Sequence, residues 1–234
     1  MLPALERRHD VLAPTLPGHA GGPPLATEVS LDAILDELER ELDEAGFETA
    51  HVVGNSLGGY LGLQLAARGR ADSVVALAPA GGWAEGDGAL GRTLGHFRTM
   101  HDQVKAAAPF AGALMASATG RRMATMFTAT NFEHIPAELL AHQLTGAASC
   151  TGALPLIEYA LREGYGLPAE RITCPVRIVW GTADLLLPYP ACAVRFRRDW
   201  LPRADWVELE GVGHCPQLDV PVETAALILG FTAP

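Results

Sequence analysis

Apolar residues follow two alternating rhythms along the chain. Short runs rich in β-branched residues, Asp10–Pro14, His51–Val53, Val74–Ala78, Val176–Trp180 and Val207–Leu209, read as strands. Between several of them apolar positions recur at helical spacing. Leu31, Ile34, Leu35, Leu38 and Leu42 form one such stripe, with Ser30 placed as N-cap, Asp32 in the first turn and Gly46 as the stop. A second helical pattern runs through Tyr60, Leu61, Leu65 and Ala66 to Gly69, and a third closes the chain over Val222 to Leu229. Strands alternating with helices predict an α/β fold with a mainly parallel sheet.

The rhythm breaks twice. After the first run, Pro17, Gly18, Gly21, Gly22, Pro23 and Pro24 make a loop that neither strand nor helix tolerates. Between Val74–Ala78 and Val176–Trp180 lie roughly 100 residues with no clear strand. That stretch carries helical patches such as Leu139 to Leu144 and Leu154 to Leu161. The expectation is one core, 1–79 and 172–234, with a helical cap inserted over 80–171. No internal repeat or low-complexity segment interrupts it.

Composition narrows the class. Of 234 residues 49% are hydrophobic and 19% charged, which excludes a disordered chain. No apolar run reaches the length of a membrane span, and the start, Met1 to Arg8, has no basic segment followed by an apolar one. A cytoplasmic location is therefore expected. The net charge of −10 gives no drive for counterion release from a nucleic acid, so none is expected as partner. Cys150, Cys174, Cys192 and Cys215 lie far apart without Cys-x-x-Cys spacing and read as buried thiols. His9, His19, His51, His96, His101, His134 and His142 show no metal-ligand spacing with carboxylates, so no metal and no cofactor is implied.

The candidate chemistry sits where a strand turns abruptly into a helix. Gly54-Asn55-Ser56-Leu57-Gly58 is a G-x-S-x-G pattern between His51–Val53 and the helix through Tyr60. A serine on so sharp a turn needs neighbours without side chains, which Gly54 and Gly58 supply. A serine hydroxyl also needs a base, and the base needs a carboxylate to hold its tautomer. Downstream, Asp184 follows the strand at Val176–Trp180, and His214 follows the one at Val207 in Gly211-Val212-Gly213-His214. Both lie beyond strand carboxyl ends, where open α/β sheets place their sites. The order Ser, Asp, His is the one expected for such an elbow.

With these three motifs, the Pro17-Gly18-His19 loop and Asp219-Val220-Pro221 after His214, the chain from about Val11 onward resembles the α/β-hydrolase superfamily. The resemblance implies Ser56 as nucleophile, His214 as general base and acid, and Asp184 as its orienter. The backbone N–H of Leu57 would be one oxyanion donor. Serine at the elbow excludes members that attack with aspartate, such as haloalkane dehalogenases and epoxide hydrolases. The reading that follows is a serine hydrolase acting on a small ester or related acyl substrate through an acyl-enzyme. Thioesterases, lactonases, carbon–carbon bond hydrolases and aminopeptidases share such a triad.

The family's opening hairpin and the strand ending in a His-Gly loop, source of the second oxyanion N–H, have no counterpart here. Met1 to Arg8 resembles the end of the helix before Val11. The expectation is that roughly 30 residues, about three strands, belong upstream. Without them the strands at Val11 and Val52 would leave backbone groups to be covered, or would pair directly. A catalytically impaired ligand-binding protein on the same scaffold is the alternative that this favours.

Substrate preference would come from the insertion. Met100, Met115, Met123 and Met126 with Phe97, Phe110, Phe127 and Phe132 would suit a small molecule with an apolar acyl or alkyl group. The simpler expectation is that they pack the helices together. Arg121-Arg122 reads first as a solvated face and second as a hold for a substrate carboxylate.

Overall fold

The computed structural model describes residues 1–86 and 88–232. Position 87 of the insertion and positions 233 and 234 of the core range lie outside it. Four strands, β1 (Ala50–Asn55), β2 (Ala71–Leu77), β3 (Val176–Gly181) and β4 (Asp205–Leu209), pair in parallel in the order β1-β2-β3-β4. Helices α1 (Leu2–Leu5), α2 (Leu31–Glu44) and α3 (Leu57–Ala67) lie in the first third of the chain. An insertion of helices separates β2 from β3: α4 (Ala89–Ala107), α5 (Ala111–Met115), α6 (Ala118–Thr125), α7 (Ala137–Ala148) and α8 (Ala153–Glu163). Two helices close the chain, α9 (Pro216–Asp219) and α10 (Pro221–Leu229).

Strand period 2 explains the layers. Val74 and Ala76 of β2, with Ile178 and Trp180 of β3, face Ile34, Leu35 and Leu38 of α2 and Leu61 and Leu65 of α3. Their neighbours Val75, Leu77 and Val179 face the other way, onto Leu5 of α1 and Ile228 of α10. Both faces of the central strands are therefore covered, and their interiors read as continuous apolar runs. Helix α2 begins as its sequence demands, with Ser30 Oγ accepting from the Ala33 N–H.

Three expectations need correction. Asp10–Pro14 is not a strand: it runs as exposed coil outside the sheet, and β1 pairs only with β2 among the described residues. A strand forms only against a ladder partner, and Pro14 and Pro17 add no N–H of their own. The apolar residues of the insertion do not all turn inward. Met115 is buried with Ala129, Ile135 and Leu140 in a small satellite core, whereas Phe110, Met123 and Met126 are exposed. Of the cysteines only Cys192 is buried as a whole residue, and none of the four is paired in a disulfide among the described residues.

Helix α4 was not legible as a unit in the sequence. Gly91 and Gly95 interrupt its composition, and Leu94 is its one residue buried outright among those described. It holds its place by packing on α7 and α8, which propensity does not register.

Candidate active site

Ser56, Asp184 and His214 follow β1, β3 and β4, all at the carboxyl edge of the sheet. Ser56 has a positive φ, at 55° with ψ −117°, where a side chain costs of order 1–3 kcal/mol. The surrounding hydrogen bonds hold it there. Its N–H donates to Leu77 O (2.9 Å), while its carbonyl accepts from Ala80 (3.0 Å) and Tyr60 (3.1 Å).

The two motif glycines differ in what they do. A Cβ on Gly54 would sit 2.1 Å from Gly58 O, so only glycine fits. A Cβ on Gly58 would meet nothing within 4 Å outside its own helix, which corrects the expectation that both remove a clash. The second close approach is made by Gly59, whose Cβ would stand 3.0 Å from Gly54 O and 3.2 Å from Pro79. Leu57 is the first residue of α3, where the leading N–H groups lack an intrahelical acceptor.

His214 and Asp184 form a buried pair, with Nδ1 2.7 Å from Asp184 Oδ2. The other carboxylate oxygen accepts from Leu186 N–H (2.8 Å) and Leu187 N–H (2.7 Å). Such a carboxylate is an acceptor on both oxygens, so Nδ1 of His214 is the donor, and in the neutral ring Nε2 carries the lone pair. That Nε2 is buried and makes no hydrogen bond. The Ser56 hydroxyl does not bond to it in this structure.

Residues outside the motifs hold the histidine. Asn55 Nδ2 donates to His214 O (2.9 Å) and Leu77 O (3.0 Å), and its Oδ1 accepts from Gln217 Nε2 (3.1 Å) and the Cys215 thiol (3.3 Å). Asp219 is buried and accepts from Gly213 N–H (2.6 Å), Thr130 N–H (2.9 Å) and Asn131 N–H (2.6 Å). It thereby joins the histidine loop to the segment between α6 and α7. Burial alone would raise its pKa, but these donors and the Thr130 hydroxyl outweigh it and hold the carboxyl below its usual range. Gly181 completes the fit: a Cβ there would lie 2.1 Å from Val212 O. The sequence reading missed Asn55, Asp219 and Gly181. Asn55 stands inside the Gly54–Gly58 motif, and Asp219 in the Asp219-Val220-Pro221 run after His214.

Arg121 donates from Nη1 to Met115 O (3.0 Å), which ties it to the insertion's own backbone. Among the described residues no group of three His, Cys, Asp or Glu side chains converges as a metal site. No helix among them is long and apolar enough to cross a membrane.

A parallel sheet flanked by helices, with a strained serine turn and a buried His–Asp pair at its carboxyl edge, defines the class, and comparison agrees. The sequence matches the alpha/beta hydrolase family over residues 1–227, and the chain belongs to that family. It is similar to the Mycobacterium tuberculosis protein named epoxide hydrolase EphH, with 31% identity over 87% of this chain and 95% of that protein. The Escherichia coli protein named putative carbamate hydrolase RutD is 28% identical over 99% of this chain and 84% of its own length. Among solved structures, a variant of the meta-cleavage product hydrolase CumD from Pseudomonas fluorescens superposes with a TM-score of 0.69 at 21% identity. That match covers 98% of this chain and 82% of the other.

Proposed function

We infer that the protein is a serine hydrolase acting on a small ester or related acyl substrate. Ser56 attacks the carbonyl, His214 Nε2 takes its proton and returns it to the leaving group, and Asp184 holds the tautomer and balances the imidazolium. The Leu57 N–H stabilises the oxyanion from the start of α3. Water, activated by the same histidine, then releases the acyl group from Ser56. The observation that carries this reading is the buried His214–Asp184 pair with its Nε2 unbonded, on a loop at the same sheet edge as a serine held in a strained turn.

The helical insertion over 80–171 is read as the cap on the core formed by 1–79 and 172–234. Its exposed Phe110, Met123 and Met126 favour an apolar acyl or alkyl group on the substrate.

The relative named an epoxide hydrolase raises a second reading, and the chemistry of Ser56 argues against it. Covalent epoxide opening by a carboxylate leaves an ester that water can cleave. Opening by a serine oxygen would leave an ether, which the same site could not hydrolyse. A carbamate, as in the name of the other relative, has an acyl carbon and fits the serine route. Turnover of chromogenic short-chain esters and carbamates beside styrene oxide decides between them. Acyl turnover lost in Ser56→Ala supports the proposal; turnover of the epoxide alone overturns it, and no turnover of either together with no labelling of Ser56 points to a binding protein.

A further inference from the structure

Helices α5 and α6 form a tight hairpin whose inner side is buried. Ala111 and Met115 of α5 and Gly120 and Thr125 of α6 turn inward. A Cβ on Gly120 would overlap Leu114 O, so α6 approaches α5 this closely only because the residue is glycine. Ser117 Oγ caps α6 by accepting from the Gly120 N–H (3.0 Å), and Arg121 Nη1 donates to Met115 O (3.0 Å). The hairpin is thereby fixed, and its outward side chains are held where they stand.

That outer side is apolar. Phe110 and Leu114, four positions apart, are 63% and 37% exposed, and Met123 and Met126, three apart, are 68% and 52% exposed. The charges among them have one sign. Over 103–132 the sequence holds no aspartate or glutamate, and its charged residues are Lys105, Arg121 and Arg122. Arg121 braces the hairpin; Lys105 and Arg122 are exposed. In a chain of net charge −10 this stretch is a reversal. The acidic charge is concentrated elsewhere, with seven carboxylates and one arginine on α2 alone.

We propose that the outer face of α5 and α6 docks the protein onto an anionic lipid surface. Large apolar side chains grouped on an exposed face mark an interaction site. Cations beside them select a bilayer with negative headgroups: the apolar groups enter the boundary between headgroups and acyl chains, and the cations stay at the phosphates. A second copy meeting this face with its own would bring like charges together, which disfavours it as the occupant. The face also neighbours the candidate site. Two positions after Met126, Thr128 O accepts from the N–H of Cys215, the residue following His214, at 2.7 Å. On the serine-hydrolase reading above, docking sets the histidine loop beside the phase in which apolar esters dissolve.

The test is flotation of the full chain with phosphatidylcholine vesicles, with and without phosphatidylserine. The chain should float with the anionic vesicles and far less with the neutral ones, and salt should release it. Lys105→Gln and Arg122→Gln should each weaken binding by roughly fivefold, and Phe110→Ser with Met123→Ser should weaken it further, with thermal melts checking the fold. Hydrogen exchange of the wild type needs no variant, and anionic vesicles should protect 105–126. No flotation, equal flotation with neutral vesicles, or protection confined to other segments overturns the proposal. So does a dimer in sedimentation velocity that Phe110→Ser dissociates. Flotation needs no turnover: Ser56→Ala should float as the wild type does, so failure of the hydrolase reading and failure of docking are told apart.

Discussion

Asn55 Nδ2 donates to the carbonyl oxygen of His214 at 2.9 Å, joining the residue beside the strained serine to the main chain of the histidine 159 positions later. The same amide also reaches Leu77 O, so one side chain spans the ends of β1 and β2 and the histidine loop. Its carbonyl end collects Gln217 and Cys215. Asn55 thus acts through others: it holds the main chain of His214 against the strand end that carries Ser56.

Replacing it by alanine leaves buried groups unpaired, at about 1–3 kcal/mol for each. Asn55→Ala is expected to lower kcat by roughly tenfold or more while changing KM little, because small displacements of a base are costly. Steady-state kinetics on the best ester, beside a thermal melt, separate this from simple unfolding. An unchanged kcat would mean that the loop keeps its place without Asn55.

The elbow glycines should respond in opposite directions. Gly54→Ala puts a Cβ 2.1 Å from a backbone oxygen, and overpacking of this kind costs about 1–3 kcal/mol or more. Gly58→Ala has open space above a helical position, where alanine gains about 0.5–1 kcal/mol over glycine. Chemical denaturation of both variants checks the pair.

Asp184→Asn keeps the shape and removes the charge opposite His214. With an amide in place of the acceptor the wrong tautomer is favoured, and in the template triad that change costs about 10⁴-fold. The expected outcome is a fall in kcat of that order with the fold retained by circular dichroism.

Acid should loosen the histidine loop through Asp219. Its folded-state pKa lies below the unfolded value, so its stabilisation is complete above about pH 5 and is lost as pH falls through the folded pKa. Melting temperatures from pH 7 to about pH 2 should therefore fall more steeply for the wild type than for Asp219→Asn, which starts less stable. Parallel curves would contradict the assignment.

How much of this was visible in the sequence follows from what each feature depends on. Helix α2 was legible because a stripe of leucines and a serine cap are local, and the structure places both as expected. The serine turn was legible because backbone strain leaves glycines in a fixed order around it. Asp184 and His214 were found by their places after strands, and the structure brings them to 2.7 Å. The roles of Asn55 and Asp219 were not, since each depends on partners far along the chain. Asp10–Pro14 has the composition of a strand and fails to be one for a non-local reason, the want of a neighbour to pair with.

Mass spectrometry of the intact chain after a fluorophosphonate probe tests the central claim most directly. The account predicts one adduct, mapped to the peptide carrying Ser56, absent in Ser56→Ala and strongly slowed in a variant lacking the His214 imidazole. Labelling elsewhere, or equal labelling of wild type and Ser56→Ala, would contradict it.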